Sequence, residues 1–245
     1  MQVDYSIIIP AYNEEVELPA TLAALRSATA TQTLKGECIV VDNNSTDRTA
    51  EIAEKAGADK IVFEPINQIS RARNAGAKVS QGRYLIFVDA DTRIDSTLLN
   101  EALTLLESGN CVGGGAIVAL EDPTGIIGCI GVTLWKYISI WTRTAAGSFL
   151  FCRRDAFEEI DGFDLKLYAS EEVRLSHQLR KWGKLRGLSF EIIRTAARTS
   201  ARKLKWYSSA IILGWIFLIP FIPIIVRFRF LCGFWYKRPD STKSN

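Results

Sequence analysis

The stretch Arg83 to Thr92, RYLIFVDADT, constrains what this chain can fold into more than any other. Leu85, Ile86, Phe87 and Val88 form a short unbroken apolar run, the pattern of a central strand covered on both faces. Asp89-Ala90-Asp91 follows at once, where that strand must leave its sheet. Carboxylates at i and i+2 of an extended chain point to the same side, so both can face one crevice. Ligands of open α/β sheets bind at the carboxyl ends of the strands. Two hard oxygen donors there suit Mg²⁺ or Mn²⁺ bridged to a diphosphate. An acidic turn followed by a helix cap would use the same residues, because Asp is common at both.

Upstream, the chain repeats this grammar. Tyr5 to Pro10 reads as a buried first strand stopped by proline, and Leu18, Leu22 and Leu25 then recur at helical spacing. Cys38 to Val41 is a second short strand, followed by an amphipathic helix through Ile52, Ala53 and Ala56. Ile61 to Phe63 is a third, and a helix from about Ser70 to Val79 leads into the Leu85–Val88 strand. Strands alternating with helices predict an α/β fold with a doubly wound, mostly parallel sheet.

The ends of the first two strands are polar. Asp42 directly follows Val41, where it can accept hydrogen bonds from a ribose hydroxyl or a base N–H. Tyr12 can stack on a base and Glu14 can accept a further hydrogen bond. Asp42, Asn44, Thr46 or Asp47 could equally cap the next helix. Gly113-Gly114-Gly115 permits either a bulge or close approach to a ligand, with the bulge the simpler reading. Gly125 to Trp141 is long and apolar with only Lys136 charged, so it predicts a helix that is buried or faces lipid or acceptor. Ala145 to Arg153 reads as a strand re-entering the core. Ser170-Glu171-Glu172 opens a helix carrying Val173, Leu175, Leu179 and Trp182 to Gly183, where the acidic pair favours the helix dipole.

The 245 residues suit one large α/β domain or two small ones. Five scattered cysteines without CxxC spacing argue against a disulfide framework, and His177, the sole histidine, excludes a multi-histidine metal site. It falls on a polar helix face and reads as a surface residue. The N-terminus runs straight into a strand-like segment, so no signal peptide is expected. From Arg194 onward ten basic residues stand against Asp240 alone, a net +9 that leaves −6 for residues 1–193 of a chain at +3. Basic charge beside apolar sequence suggests an anionic membrane surface, and no nucleic-acid-binding signature accompanies it.

IIIPAYNE, VVDNNSTDRT, SRARNAGAKVSQGRYLIFVDADT and GSFLFCRRDAFEEIDGFDLKLYASEEVRLSHQLRKWG resemble, in order and spacing, the family-2 glycosyltransferases, which have the GT-A fold. The resemblance covers about Tyr5 to Gly183. It implies that Pro10, Tyr12, Glu14 and Asp42 line a nucleotide pocket, with Arg71, Arg73 and Asn74 approaching the nucleotide. Asp89 and Asp91 match the DxD element, Asp91 as the usual ligand of Mg²⁺ or Mn²⁺ and Asp89 beside the ribose. Glu171-Glu172 matches the acidic pair that supplies the base, most often Glu-Asp; position favours Glu172 and leaves Glu171 open. Arg174 stands where an acidic residue is common, and no C-terminal histidine ligand is present. The implied activity is inverting, metal-dependent transfer of one sugar from a nucleotide-sugar donor to an acceptor hydroxyl or phosphate. A nucleotidyltransferase and a non-catalytic membrane scaffold are the rivals; IIIPAYNE lacks the glycine-rich loop the first would need.

Tyr207 to Val226 is twenty residues without a charge, the length of a bilayer span, interrupted by Pro220 and Pro223. Basic clusters on both sides leave its orientation open, and a re-entrant or interfacial segment would keep Trp206, Trp215 and Trp235 near the headgroups. RKLKW at Arg202 to Trp206 only partly echoes the QxxRW element of processive synthases. The expected organisation is a catalytic domain over 1–200 and a basic, hydrophobic tail over 201–245. That tail would hold the protein at the cytoplasmic face of the cell membrane through residues 206–229, near a lipid-linked or glycan acceptor.

Overall fold

The structure, a computed structural model, describes residues 3–121, 137, 139–202 and 226–232. The expected helix at Gly125 to Trp141 therefore falls almost wholly outside the described residues, as does the apolar run from Tyr207 up to Val226. Of the former, Tyr137 and Trp141 are exposed.

The apolar runs become strands at the expected places. These are β1 (Tyr5–Ala11), β2 (Gly36–Asp42), β3 (Lys60–Phe63) and β4 (Tyr84–Val88). The intervening helices are α1 (Leu18–Thr29), α2 (Thr49–Lys55) and α3 (Ile69–Val79). β5 (Thr92–Arg93), α4 (Ser96–Glu107) and β6 (Cys111–Leu120) follow. Beyond them come β7 (Phe149–Arg153), α5 (Arg154–Glu159), α6 (Glu171–Lys184) and β8 (Ser189–Thr199).

One eight-stranded sheet runs β3-β2-β1-β4-β7-β6-β8-β5. β3, β2, β1 and β4 are parallel, as their alternation with helices requires. The other half is mixed: β7 is antiparallel to both β4 and β6 and β5 to β8, while β6 and β8 are parallel. Four of the seven strand pairs are thus parallel, and the sheet is mostly parallel as expected. Asp89 N–H donates to the carbonyl of Ser148, so β7 starts beside the end of β4 and must run back down it. The β6 glycines sit between two register shifts against β8, consistent with the bulge reading. A Cβ on Gly114 would lie 2.0 Å from the carbonyl oxygen of Glu191. That space belongs to a neighbouring strand.

Alternate residues of each central strand feed two cores. Ile7, Ile9, Val40, Ile86 and Val88 pack against α1 and α4. Ile8, Ile39, Val41, Leu85 and Phe87 pack against α3, α5 and α6. Small residues let α3 lie close on the second face: Ala72 is fully buried, and a Cβ on Gly76 would come within 2.4 Å of Ile8. This close seating carries Arg73 beneath the carboxyl end of β4. Cys38, Cys111, Cys152 and Cys232 are free thiols. Among the described residues no helix is long and apolar enough to cross a membrane.

Candidate active site

The strand order reverses between β1 and β4, and the loops leaving these two strands frame a crevice. The loop after β1 is stitched to the loop after β2. Asn13 takes a left-handed backbone, which asparagine tolerates, and its side-chain oxygen accepts from Thr46 N–H at 2.8 Å. Glu14 N–H donates to Thr49 Oγ1 and Glu15 N–H to Asp47. Asp42 is buried at the end of β2, and its carboxylate accepts from Ser45 N–H, folding the loop back on itself. The N-cap of α2 is Arg48, and Asp47 just before it accepts from Thr49 N–H. Asn43 then ties this wall to the segment before α3, donating to the carbonyls of Glu64 and Ile66 and accepting from Gln68 N–H.

After β4 the chain turns, closed by Thr92 N–H donating to Asp89 carbonyl. An extended backbone at i and i+2 is therefore not what orients the two aspartates, and they take different partners. Asp89 turns toward α3, where its Oδ1 accepts from Arg73 Nη2 at 2.8 Å. Asp91 is buried beside the end of β8: Ser200 N–H donates to its carbonyl, and Arg202 Nη2 lies 3.9 Å from its Oδ2. The same guanidinium bonds the buried carboxylate of Glu14.

Arg73 is the hub. Its side chain is 3 % exposed, lies 5.1 Å over the Phe163 ring, and donates to Asp89, to Glu171 Oε1 at 2.8 Å and to the Gly147 carbonyl at 2.9 Å. The end of β4, the start of β7 and the first turn of α6 are thereby drawn to one point. α6 itself begins after Ser170, whose left-handed backbone (φ 58°) is unusual for a residue with a side chain and turns the acidic pair inward. Glu171 is buried against Arg73; burial raises its carboxyl above the ordinary value, and the Arg73 charge offsets only part of that rise. Glu172 has no such direct partner. Burial, with the adjacent Glu171 adding, pushes its carboxyl from 4.5 up to about 8, the range a general base needs. Gly147 leaves room there: a Cβ at that position would stand 3.7 Å from the Glu172 carboxyl carbon.

The family model for glycosyl transferase family 2 matches residues 6–161, which hold every element of this crevice up to β7 and α5. The chain belongs to glycosyl transferase family 2. Over 104 residues it is 38 % identical to 4,4'-diaponeurosporenoate glycosyltransferase of Staphylococcus haemolyticus, covering 40 % of this chain and 27 % of that protein. Over 183 residues it is 31 % identical to glycosyltransferase AglE of Haloferax volcanii, covering 69 % and 58 %. The chain thus spans less than two thirds of the length of these relatives. Among solved structures, Staphylococcus aureus TarS 1–349 superposes with a TM-score of 0.63 at 19 % identity, over 82 % of this chain and 61 % of that one. The mannosyltransferase PcManGT of Pyrobaculum calidifontis, solved with GDP-Man and Mn²⁺, gives 0.63 at 17 %, over 82 % and 58 %. These likenesses show a shared fold, consistent with GT-A.

Within this family-2 framework, the residues picked from sequence do not all lie alike. Pro10, Tyr12, Glu14 and Asp42 sit at the ends of β1 and β2, and Asp89, Asp91, Glu171 and Glu172 converge on the crevice. Asn74 is committed elsewhere: its amide donates to and accepts from the Phe163 main chain. Arg71 bonds the Gln68 side chain. Three further residues belong to this region without a local sequence signal for it. Arg202 lay in the partial echo at the head of the tail, without a reason to pair it with Glu14. Gln68 spans from Asn43 to the carbonyls of Leu165 and Leu167. Ser148, buried beside Asp89, keeps a hydroxyl with no hydrogen-bond partner among the described residues.

The tail returns to this face. Tyr168 N–H donates to the Val226 carbonyl, and Val226 and Cys232 pack on Ala169 beside the acidic pair. Burial pushes the Cys232 thiol up to about 11, with the charge of Glu171 adding. Arg227, Phe228, Arg229 and Phe230 are exposed on the same segment.

Proposed function

We propose that this protein transfers a single sugar, with inversion, from a nucleotide-sugar donor to an acceptor hydroxyl or phosphate, lipid-linked or at a membrane surface. The observation that carries the reading is the chain Asp89–Arg73–Glu171, buried at Arg73 and Glu171, which ties the carboxyl end of β4 to the acidic start of α6. A donor-side carboxylate pair and an acceptor-side base then share one crevice. The strand ends after β1 and β2 would take the nucleotide, with Tyr12 against the base and Asp42 on the ribose.

Asp91 and Asp89 are hard oxygen donors at the point where a diphosphate would lie. Few carboxylates plus substrate phosphates are the usual set for Mg²⁺ or Mn²⁺, so these residues fit such an ion although no cluster of three ligands exists among the described residues. When bound, a divalent ion would supply Lewis-acid stabilisation of the leaving diphosphate. Glu172, held near neutral pKa, would accept the proton of the acceptor hydroxyl, and Arg73 would keep Glu171 fixed as its neighbour. Arg202 adds a cation beside Asp91 suited to developing phosphate charge.

A membrane-facing acceptor is supported by the basic tail and by its exposed Arg227, Phe228, Arg229 and Phe230 next to the acidic pair. Arg202 and Val226 both hold to the catalytic domain. These features favour association with the cytoplasmic face of the cell membrane. The test is a binding panel of UDP-, GDP- and dTDP-sugars with Mn²⁺ or Mg²⁺, on the protein and on Asp91→Ala. One preferred donor, weakened at least tenfold in the variant, is the expected result. No binding to any donor by folded protein would overturn the assignment and favour a scaffold.

A further inference from the structure

A second concave site lies along α6, away from the acidic pair. It encloses about 580 Å³ and is lined by Arg143, His177, Arg180, Lys181, Lys184 and Ser189 with the adjoining main chain. It lies within residues 1–193, which carry a net charge of −6, so its lining runs against its surroundings. No carboxylate lines it. Elsewhere on this helix and just after it arginines are neutralised: Arg174 pairs with Asp164 and Arg186 with Glu159. Among the described residues, none of Arg143, Arg180, Lys181 and Lys184 reaches a carboxylate.

A solvated basic end of a helix accounts for part of this. Lys181 and Lys184 lie in the last turn, where cations favour the dipole. It does not account for Arg143, which arrives from a different part of the chain on a left-handed backbone (φ 49°). Arg180 Nη1 donates to the Thr142 carbonyl, which holds that turn against the helix beside the groove. From Arg143 the chain runs to Ala145, bonded to Ser176, and to Gly147, bonded to Arg73. Glu172 and Arg180 are eight residues apart on one helix, about 12 Å along its axis.

We propose that this groove is a phosphate-binding subsite that takes the phosphate of a phosphorylated acceptor while the reacting group lies at Glu172. Four unneutralised cations and the Ser189 hydroxyl around a concave space are a recognition set for phosphate oxygens, with arginine supplying paired donors. The acceptor role rests on the transfer reading above; binding of phosphate does not.

His177 is the only histidine, so its imidazole NMR signals report on this groove without ambiguity. The experiment titrates the full chain with inorganic phosphate and with glycerol 3-phosphate, against sodium chloride at matched ionic strength. Saturable shifts of the His177 signals are expected, with affinity falling at least tenfold in Arg143→Gln/Lys184→Gln. The pair Lys55→Gln/Lys78→Gln removes the same charge elsewhere and should leave the titration unchanged. Shifts no larger than those with chloride would overturn the subsite, as would equal affinity in the Arg143/Lys184 pair. Vesicles of phosphatidylglycerol and of phosphatidylcholine form a second arm. A His177 response to the anionic vesicles alone, exceeding that to glycerol 3-phosphate, identifies a lipid phosphate as the source; the reverse identifies a soluble one. Phosphate binding without sugar transfer would refute the transfer reading and leave the subsite standing.

Discussion

Arg73 Nη1 sits 2.8 Å from Glu171 Oε1 in a pair where both side chains are almost wholly buried, 98 residues apart in the chain. The other arm of the same guanidinium holds Asp89, so one side chain ties the end of β4 to the first turn of α6. Arg73→Gln leaves Glu171 and Asp89 without their cation. Loss of one partner of a buried pair costs about 3–5 kcal/mol, which urea denaturation at pH 7.5 will measure. Arg73→Lys keeps the charge but cannot bond three acceptors in the same plane, and should fall between.

In its proposed role as base, Glu172 predicts a pH signature for the activity. Acting as a base, it must be ionised, so kcat/KM should rise with pH through about 8. The groups that face it are Glu171, Arg73 and Asp89, with the Glu171 charge raising it and Arg73 lowering it. Removing the Arg73 charge should therefore move the profile to higher pH.

The same group has the opposite effect on stability. In the folded protein Glu172 keeps its proton to about pH 8, whereas in the unfolded chain it ionises near 4.5. Between these values the folded state binds more protons, so this group's contribution to stability falls as pH rises from 4.5 to 8 and is flat above. Glu172→Gln removes that slope. At pH 8 the variant should be more stable than the parent by roughly 1–3 kcal/mol, read from urea midpoints at pH 5 and pH 8.

Gly114 belongs to the sheet rather than to a ligand. Its missing Cβ faces the Glu191 carbonyl and the Phe151 ring. Gly114→Ala should destabilise by more than about 2 kcal/mol through overpacking, without changing the nucleotide preferred by the protein that remains folded. Thermal melts with and without donor will separate the two effects.

The parallel half of the fold was legible because each strand is a short apolar run alternating with a helix, although β1 pairs with β4 across two intervening strands. The direction of β7 was not: Phe149 to Arg153 announces a strand but says nothing of its partners, which lie on β4 and β6. Side-chain chemistry followed the same rule. Asp89, Asp91 and the Glu171-Glu172 pair stand out as carboxylates at element ends. An arginine in a helix reads as exposed or ligand-facing, and the burial of Arg73 arises only from α3 seating closely through Ala72 and Gly76. Arg202 meets Glu14 across 188 residues, a separation no local pattern encodes.

In the proposed reaction Asp91 and Glu172 perform separate tasks in one crevice. Isothermal titration with the preferred nucleotide sugar and Mn²⁺, paired with a transfer assay at pH 8, tests it on Asp91→Ala and Glu172→Gln. The prediction is that Asp91→Ala loses donor binding, while Glu172→Gln binds donor as the parent does and loses transfer by at least a hundredfold, within the usual range for a general base. Parent-like transfer by Glu172→Gln, or unchanged metal-dependent donor binding by Asp91→Ala, would contradict it.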